Sequence, residues 1–427
     1  MKKNILILIS ACILLSGCGF VQDENGSEIE SHESAATADI SQNKTDEAME
    51  NVRTYTKEED EASARYLQET YNAVNNRPKV ILDCDMTYMG DDSMCMCLLA
   101  QADSLGLIDL LGVTITGGNS FVAAGTNAAL TQLEKIGRED IPVYMGTDEP
   151  VMGYRNLEQQ EEIVGKIEHW GAMYHLDNYI EPSQYHNLGN YYKRAWGYSV
   201  TEPESKSSVD FMLETARMYP GEVIIISTGA PTNIALACQQ EDSFAANIKE
   251  IIYTGTILEG PGTYTPYADF NCFYDSAAFH ICFRSNFQKQ TVVPHDAAKY
   301  AVLNKAVFDM INDKNNTLAS YMWIENQYSL YRRTVTYKSN CLDAIAAVSF
   351  LIPSCVSDSE NYYVAVNYDE ESPEYGRVTV SDVLGENTSF HEITFITAIN
   401  TEMYWNFATD LLGHMKEKAE KGYLDYL

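Results

Sequence analysis

Basic residues are scarce in this chain. It has 29 Lys and Arg against 61 Asp and Glu in 427 residues, a formal charge of -32. A surface of that sign repels phosphate backbones, so nucleic acid is excluded as a partner. CxxC pairs are absent too, which argues against a zinc site. Beyond Cys18 the cysteines are Cys84, Cys95, Cys97, Cys238, Cys272, Cys282, Cys341 and Cys355. Most sit in apolar runs and read as small core residues; export would open some to oxidation, with no pairing legible. No internal repeat occurs, and after the first residues no apolar run is long enough to span a bilayer.

What the N-terminus does contain sets an address. Lys2 and Lys3 precede the apolar run Ile5 to Leu15, the layout of a signal peptide over residues 1–17. Leu15-Ser16-Gly17-Cys18 resembles a bacterial lipobox, which implies a lipid on Cys18 and an extracytoplasmic, membrane-anchored lipoprotein. Residues 18–60, rich in Ser, Glu, Asp, Asn and Ala with almost no aromatics, read as a disordered tether. Residues 61–427 read as one catalytic domain, entered through a short helix from Glu61 to Val74.

Within that domain apolar strands and helical runs alternate. Val80 to Leu82 reads as a buried strand, Ser93 to Ala102 as a helix, Ile108 to Thr116 as a strand, Thr126 to Ile136 as a helix and Pro142 to Tyr144 as a strand. Such a rhythm predicts an α/β fold with an open, mostly parallel central sheet and flanking helices. An insertion at about 152–207 interrupts it. The insertion's His169, Trp170, Tyr174 and His175 could face a ligand, although packing within an irregular loop is the commoner use of such residues. The rhythm then resumes through helix Val209 to Met218, strand Val223 to Ile226 and strand Glu250 to Tyr253, with a helical stretch near Tyr321 to Arg332. Near the C-terminus a small antiparallel section and a closing helix from Thr401 to Met415 are expected.

The chemistry concentrates at strand ends. Asp83, Asp85, Asp91 and Asp92 crowd the end of the first strand. Four acids cannot all stay ionised in a partly buried site without a cation, and an oxygen-only ligand set points to calcium or magnesium. Gly117-Gly118-Asn119, Thr228 to Asn233, Asp269-Phe270-Asn271 and Asp343 follow at later strand ends or helix starts, where open α/β sheets place their ligands. Asp83-x-Asp85-x-Thr87 alone also fits a haloacid dehalogenase-like phosphatase, with Asp83 as nucleophile, Asp85 as general acid and Val223 to Ser227 as the phosphate-binding strand.

In order and spacing, these pieces resemble the inosine-uridine-preferring nucleoside hydrolases from about Lys79 to about Met415. The resemblance implies a nucleoside hydrolase-like fold and calcium-dependent hydrolysis of the N-glycosidic bond of ribonucleosides in purine or pyrimidine salvage. It implies Ca2+ held by Asp85, Asp92, Asp343 and the Thr228 carbonyl, and Asp85 as the base that activates the attacking water. Asp91, Asn119, Asp269 and Asn271, with Thr263 where an Asn is usual, are implied as substrate-binding residues. Asp83 is expected to brace the loop.

The chain departs from the family pattern at Leu342, where relatives often carry a histidine, at Thr263, and at Asp269 in place of Glu. His169, His175, Tyr331 and Tyr337 are the candidates to replace the missing histidine as leaving-group acid. A non-catalytic nucleoside- or ribose-binding lipoprotein is the alternative these departures permit, and a homo-oligomer is compatible with either.

Overall fold

The apolar run of the first strand fits only a strand covered on both faces. The computed structural model describes residues 77–87, 90–167, 172, 181–185, 188, 197–303, 307 and 339–413. Cys18, the tether, the helix expected from Glu61, the stretch Tyr321 to Arg332, and His169, Trp170, Tyr174, His175, Tyr331 and Tyr337 lie outside the described residues.

Eleven strands are described: β1 (Lys79–Cys84), β2 (Asp109–Ile115), β3 (Val143–Met145), β4 (Val223–Ser227), β5 (Ile248–Thr254), β6 (Gln290–Val293), β7 (Val302–Leu303), β8 (Ser339–Asn340), β9 (Val356–Val366), β10 (Val378–Ser381) and β11 (Ile393–Ile399). Nine of them form one sheet in the order β10-β9-β11-β6-β5-β4-β1-β2-β3. From β3 to β11 every neighbouring pair is parallel, and β9 and β10 then add antiparallel strands to the edge. The antiparallel section is therefore an extension of the main sheet, joined through Thr394 of β11 opposite Thr291 of β6.

Helices α1 (Asp91–Ser104), α2 (Val122–Ile136), α3 (Leu157–Val164), α4 (Ser208–Met218), α5 (Thr232–Gln240), α6 (Phe270–Tyr274), α7 (Ser276–Arg284), α8 (Leu342–Leu351) and α9 (Thr401–Gly413) flank or cap it. Successive strand residues point to opposite faces. Val80, Leu82, Ile226 and Ile252 pack with α1, α2, α8 and α9, whereas Ile81, Ile225 and Ile251 pack with α4, α5 and α7. A third apolar cluster, including Phe121, Ala230, Ala268, Phe273 and Tyr274, gathers residues that follow the carboxyl ends of β2, β4 and β5.

Two expectations shift in detail. Helix α2 starts at Val122, four residues earlier than its periodicity suggests, and ends at Gly137, whose φ of 70° closes the helix in the left-handed conformation. Within the insertion, α3 is capped by Asn156, whose side chain accepts from Gln159 N, and the chain returns to the sheet through a bridge between Tyr144 and Glu204. Among the described residues no helix is long and apolar enough to cross a membrane.

Strand β1 lies between β2 and β4, so the crossovers run in opposite directions from it. That reversal opens a crevice outside the carboxyl ends of β1 and β4, the usual ligand position in a doubly wound sheet. Asp85 leaves β1 there and Thr228 leaves β4 there.

Candidate metal centre and active site

Carboxylates fill the crevice. Asp85 and Asp92 are 1 % exposed and Asp343 is 6 % exposed. One carboxylate oxygen from each of Asp91, Asp92 and Asp343 lies within 4.8 Å of the others. Asp91 and Asp92 open α1 and Asp343 stands in the first turn of α8, so the helix N-termini partly offset the negative charge. Burial drives the carboxyls of Asp92 and Asp343 well above the usual range, and repulsion from neighbouring acids adds to it. Without a cation such a cluster must share protons.

Asp85 is held by a turn. The main-chain N–H of Asn119 donates to its Oδ2 at 2.7 Å, while its Oδ1 is buried without a protein partner. Burial pushes Asp85 up to about 7 against the downward pull of that hydrogen bond. Two glycines make the close approach: a Cβ on Gly118 would stand 2.2 Å from Asp85 Oδ2, and one on Gly229 would stand 2.9 Å from Asp85 Cβ.

Hydroxyl groups at strand ends hold the other acids. Thr228 Oγ1 donates to Asp92 Oδ1 at 2.7 Å, and Thr254 Oγ1 donates to Asp343 Oδ1 at 2.6 Å. The Thr228 carbonyl accepts from Asn271 Nδ2 at 2.8 Å, with Thr254 Oγ1 3.1 Å away. Since the single Thr254 hydroxyl proton is committed to the shorter contact with Asp343, the carbonyl keeps a lone pair.

Asp83 lies beneath this layer, fully buried. Its Oδ1 accepts from Thr114 Oγ1 at 2.7 Å and Asn233 Nδ2 at 2.9 Å, and burial pushes it up to about 7. A phosphatase nucleophile must reach its substrate, which this side chain does not, so the geometry speaks against that alternative.

The sequence-predicted residues therefore divide. Asp91, Asp92 and Asp343 meet in one carboxylate cluster, which Thr228 joins to Asn271, while Asp85, held by Asn119, stands outside that trio and near enough for charge repulsion with Asp91 and Asp92. Asp91 Oδ2 also accepts from Leu342 N at 3.1 Å, which ties α1 to the start of α8. Asp269 reaches the same edge but caps α6: its carboxylate accepts from Thr256 N at 2.7 Å, Asn271 N at 3.1 Å and Cys272 N at 3.4 Å. Thr263 is exposed and lines a cleft of about 180 Å³ with Val164, Lys166 and Ile167. The Leu342 side chain is buried in the apolar core. Thr114, Thr254 and the brace Asn233 drew no role from the sequence; a Thr at the last or next-to-last position of an apolar strand is the one signal that could have marked the first two.

A doubly wound sheet whose switch point is lined by buried carboxylates defines an α/β protein with a cation-ready ligand site. Residues 80–406 match the model of the family described as inosine-uridine preferring nucleoside hydrolase, and the chain belongs to that family. It is 29 % identical over 211 residues to probable uridine nucleosidase 2 of Arabidopsis thaliana, an alignment taking in 49 % of this chain and 57 % of the plant protein, so little more than half of that relative is spanned. It is 26 % identical over 350 residues to the pyrimidine-specific ribonucleoside hydrolase RihB of Escherichia coli, covering 79 % of this chain and 98 % of RihB. A solved plant nucleoside hydrolase, the PpNRh1 enzyme, shares the fold with a TM-score of 0.61 at 19 % identity, over 79 % of this chain and 99 % of its own.

Proposed function

We propose that the chain is a calcium-dependent ribonucleoside hydrolase that cleaves the N-glycosidic bond and releases base and ribose. The observation that carries this reading is the buried carboxylate cluster at the β1/β4 switch point of a nucleoside hydrolase family member. That RihB is a pyrimidine-specific ribonucleoside hydrolase and the Arabidopsis relative a probable uridine nucleosidase agrees with it.

The residues fit a hard cation. Asp85, Asp92, Asp343 and the Thr228 carbonyl would hold it, an all-oxygen set that suits calcium. The clustered, mutually repelling acids are what such an ion would satisfy. When bound, calcium supplies charge neutralisation and lowers the pKa of a coordinated water.

The chain's own groups then act as follows. Asp85 keeps Oδ2 on the Asn119 amide and takes the proton of the attacking water at Oδ1. The surrounding carboxylates stabilise the positive charge that develops on the sugar as the bond to the base breaks. Asn119, Asn271 and Asp91 hold ribose hydroxyls; with Asn271 Nδ2 engaged by the Thr228 carbonyl, its Oδ1 is the atom offered to the sugar. Asp269 acts through Asn271, whose main-chain N–H it holds. Leu342 supplies no proton to the departing base, so that task falls to another group.

A panel of ribonucleosides assayed for free ribose tests the reading. Binding without release from any of them would favour a nucleoside-binding lipoprotein. For the N-terminal region we propose export on a signal peptide of residues 1–17, lipid attachment at Cys18 and a tether of residues 18–60, a reading supported by the charged and apolar pattern of the first residues. Fatty-acid labelling that persists in Cys18→Ser would refute the anchor.

A further inference from the structure

Helix α6 has only five residues, Phe270–Tyr274. So short a helix does not hold itself, because nucleation costs more than its few hydrogen bonds return. It is fixed from outside. At its N-terminal end the Asp269 carboxylate accepts from Asn271 N at 3.1 Å and Cys272 N at 3.4 Å. At its C-terminal end the Asn271 carbonyl accepts from Asp275 N at 3.2 Å and the Cys272 carbonyl from Ser276 Oγ at 2.6 Å. The last two carbonyls, of Phe273 and Tyr274, accept from Arg155 Nη2 at 2.6 and 3.4 Å. We propose that Arg155 is a positioning residue for the hydrolase site: by clamping the C-terminal end of α6 it sets the side chain of Asn271. The inference rests on the reading of Asn271 as a ribose contact.

Arg155 is built into its place. It lies at the start of the insertion, 8 % exposed, with its guanidinium carbon 4.3 Å from the ring centroids of both Phe273 and Tyr375. Those two rings meet edge to face, 5.5 Å apart. Arg155 Nη1 also donates to Gln160 Oε1 at 3.4 Å, and Gln160 Nε2 donates to the Glu370 carbonyl at 2.9 Å. One planar cation thus covers two aromatic rings and two carbonyls at the negative end of a helix, which the point charge of a lysine does not match.

Asn271 has little slack of its own. Its Nδ2 donates to the Thr228 carbonyl at 2.8 Å and to the Thr254 carbonyl at 3.3 Å. Gly255 leaves the room for it, since a Cβ there would stand 3.2 Å from Asn271 Cβ and 2.8 Å from Asp269 Oδ2. Phe273, whose carbonyl and ring Arg155 holds, lies two residues beyond Asn271 within the same helical turn. Loosening that end of α6 therefore moves Asn271 against the strand ends it bridges. Arg155 acts through the helix, so its loss should weaken hold on the sugar more than it slows bond breaking.

Steady-state kinetics on a ribonucleoside with saturating calcium, in a cycle of Arg155→Ala, Asn271→Ala and the double variant, test this. Arg155→Ala should raise KM about tenfold, the scale of one hydrogen bond to the sugar, with kcat within about threefold of wild type. In the Asn271→Ala background the same change should move KM by less than about twofold, because the side chain it positions is gone. Arg155→Lys keeps one donor for the Phe273 carbonyl; it should show a smaller rise in KM, and it carries the test if the alanine variant does not fold. Wild type that binds ribonucleosides without releasing base defeats the hydrolase reading alone, and the same cycle is then read in Kd by calorimetry. Effects of Arg155 and Asn271 that multiply in the double variant, or an unchanged KM or Kd in the folded Arg155 variants whatever their Tm, overturn the proposal.

Discussion

The main-chain N–H of Asn119 donates to Asp85 Oδ2 at 2.7 Å, so the proposed base is positioned by the backbone of a turn and its other oxygen is left for chemistry. A turn built this closely tolerates no side chain at Gly118.

Gly118→Ala would bring a methyl group to 2.2 Å from Asp85 Oδ2. The carboxylate must move, and a displacement of about 1 Å in a reacting group costs roughly 100-fold in rate. The expected result is a loss of that order in kcat, measured by base release, with circular dichroism unchanged. Normal turnover would show that the turn does not set Asp85.

Stability should depend on pH more steeply without metal than with it. Burial raises Asp83 and Asp85 to about 7 from an ordinary value of 3.8, so the folded chain binds their protons more tightly than the unfolded chain does. Their contribution is full below the unfolded value and is lost as pH rises through about 7. Chelated protein should therefore melt at a lower temperature at about pH 8 than at about pH 5, and added calcium, which binds the ionised carboxylates, should restore most of the difference. Chelated protein whose Tm rises across that window would contradict the reading of the cluster.

Leu342→His should not restore a leaving-group acid. The Leu342 side chain is 7 % exposed and packs into the core from the first turn of α8, so an imidazole there replaces apolar packing with a polar group. A loss of about 2 kcal/mol or more in urea unfolding is expected, with no gain in turnover. A variant of unchanged stability and higher kcat would show that residue 342 can turn to the substrate.

Much of the fold was legible because β1, β2 and β4 carry apolar runs ending in glycine and acid-rich turns, a pattern only a covered parallel sheet uses. The edge was less legible. Pairing of β11 with β6 joins segments about a hundred residues apart, and no local pattern in either announces it. At the site, the crowding of acids in the first motif was legible from its residues, whereas Asp343, a single acid at a helix start, joined them only through the family resemblance. Asp269 could not be followed to its end, since a carboxylate before a short helix serves equally as a cap or a ligand, and here three amides claim it. Thr256 is a further case: it holds φ at 66°, a conformation that a β-branched residue gives no reason to expect. Tertiary contacts fix it, with its N–H on Asp269 and its carbonyl on His295 N.

The most direct test is release of free base from uridine and inosine by wild type and Asp85→Asn, each with calcium and with a chelator. The expected result is release by wild type in calcium, falling about 10²- to 10⁴-fold in Asp85→Asn and on chelation. Release that persists unchanged in Asp85→Asn or without metal, or its absence from wild type with every ribonucleoside, would contradict it.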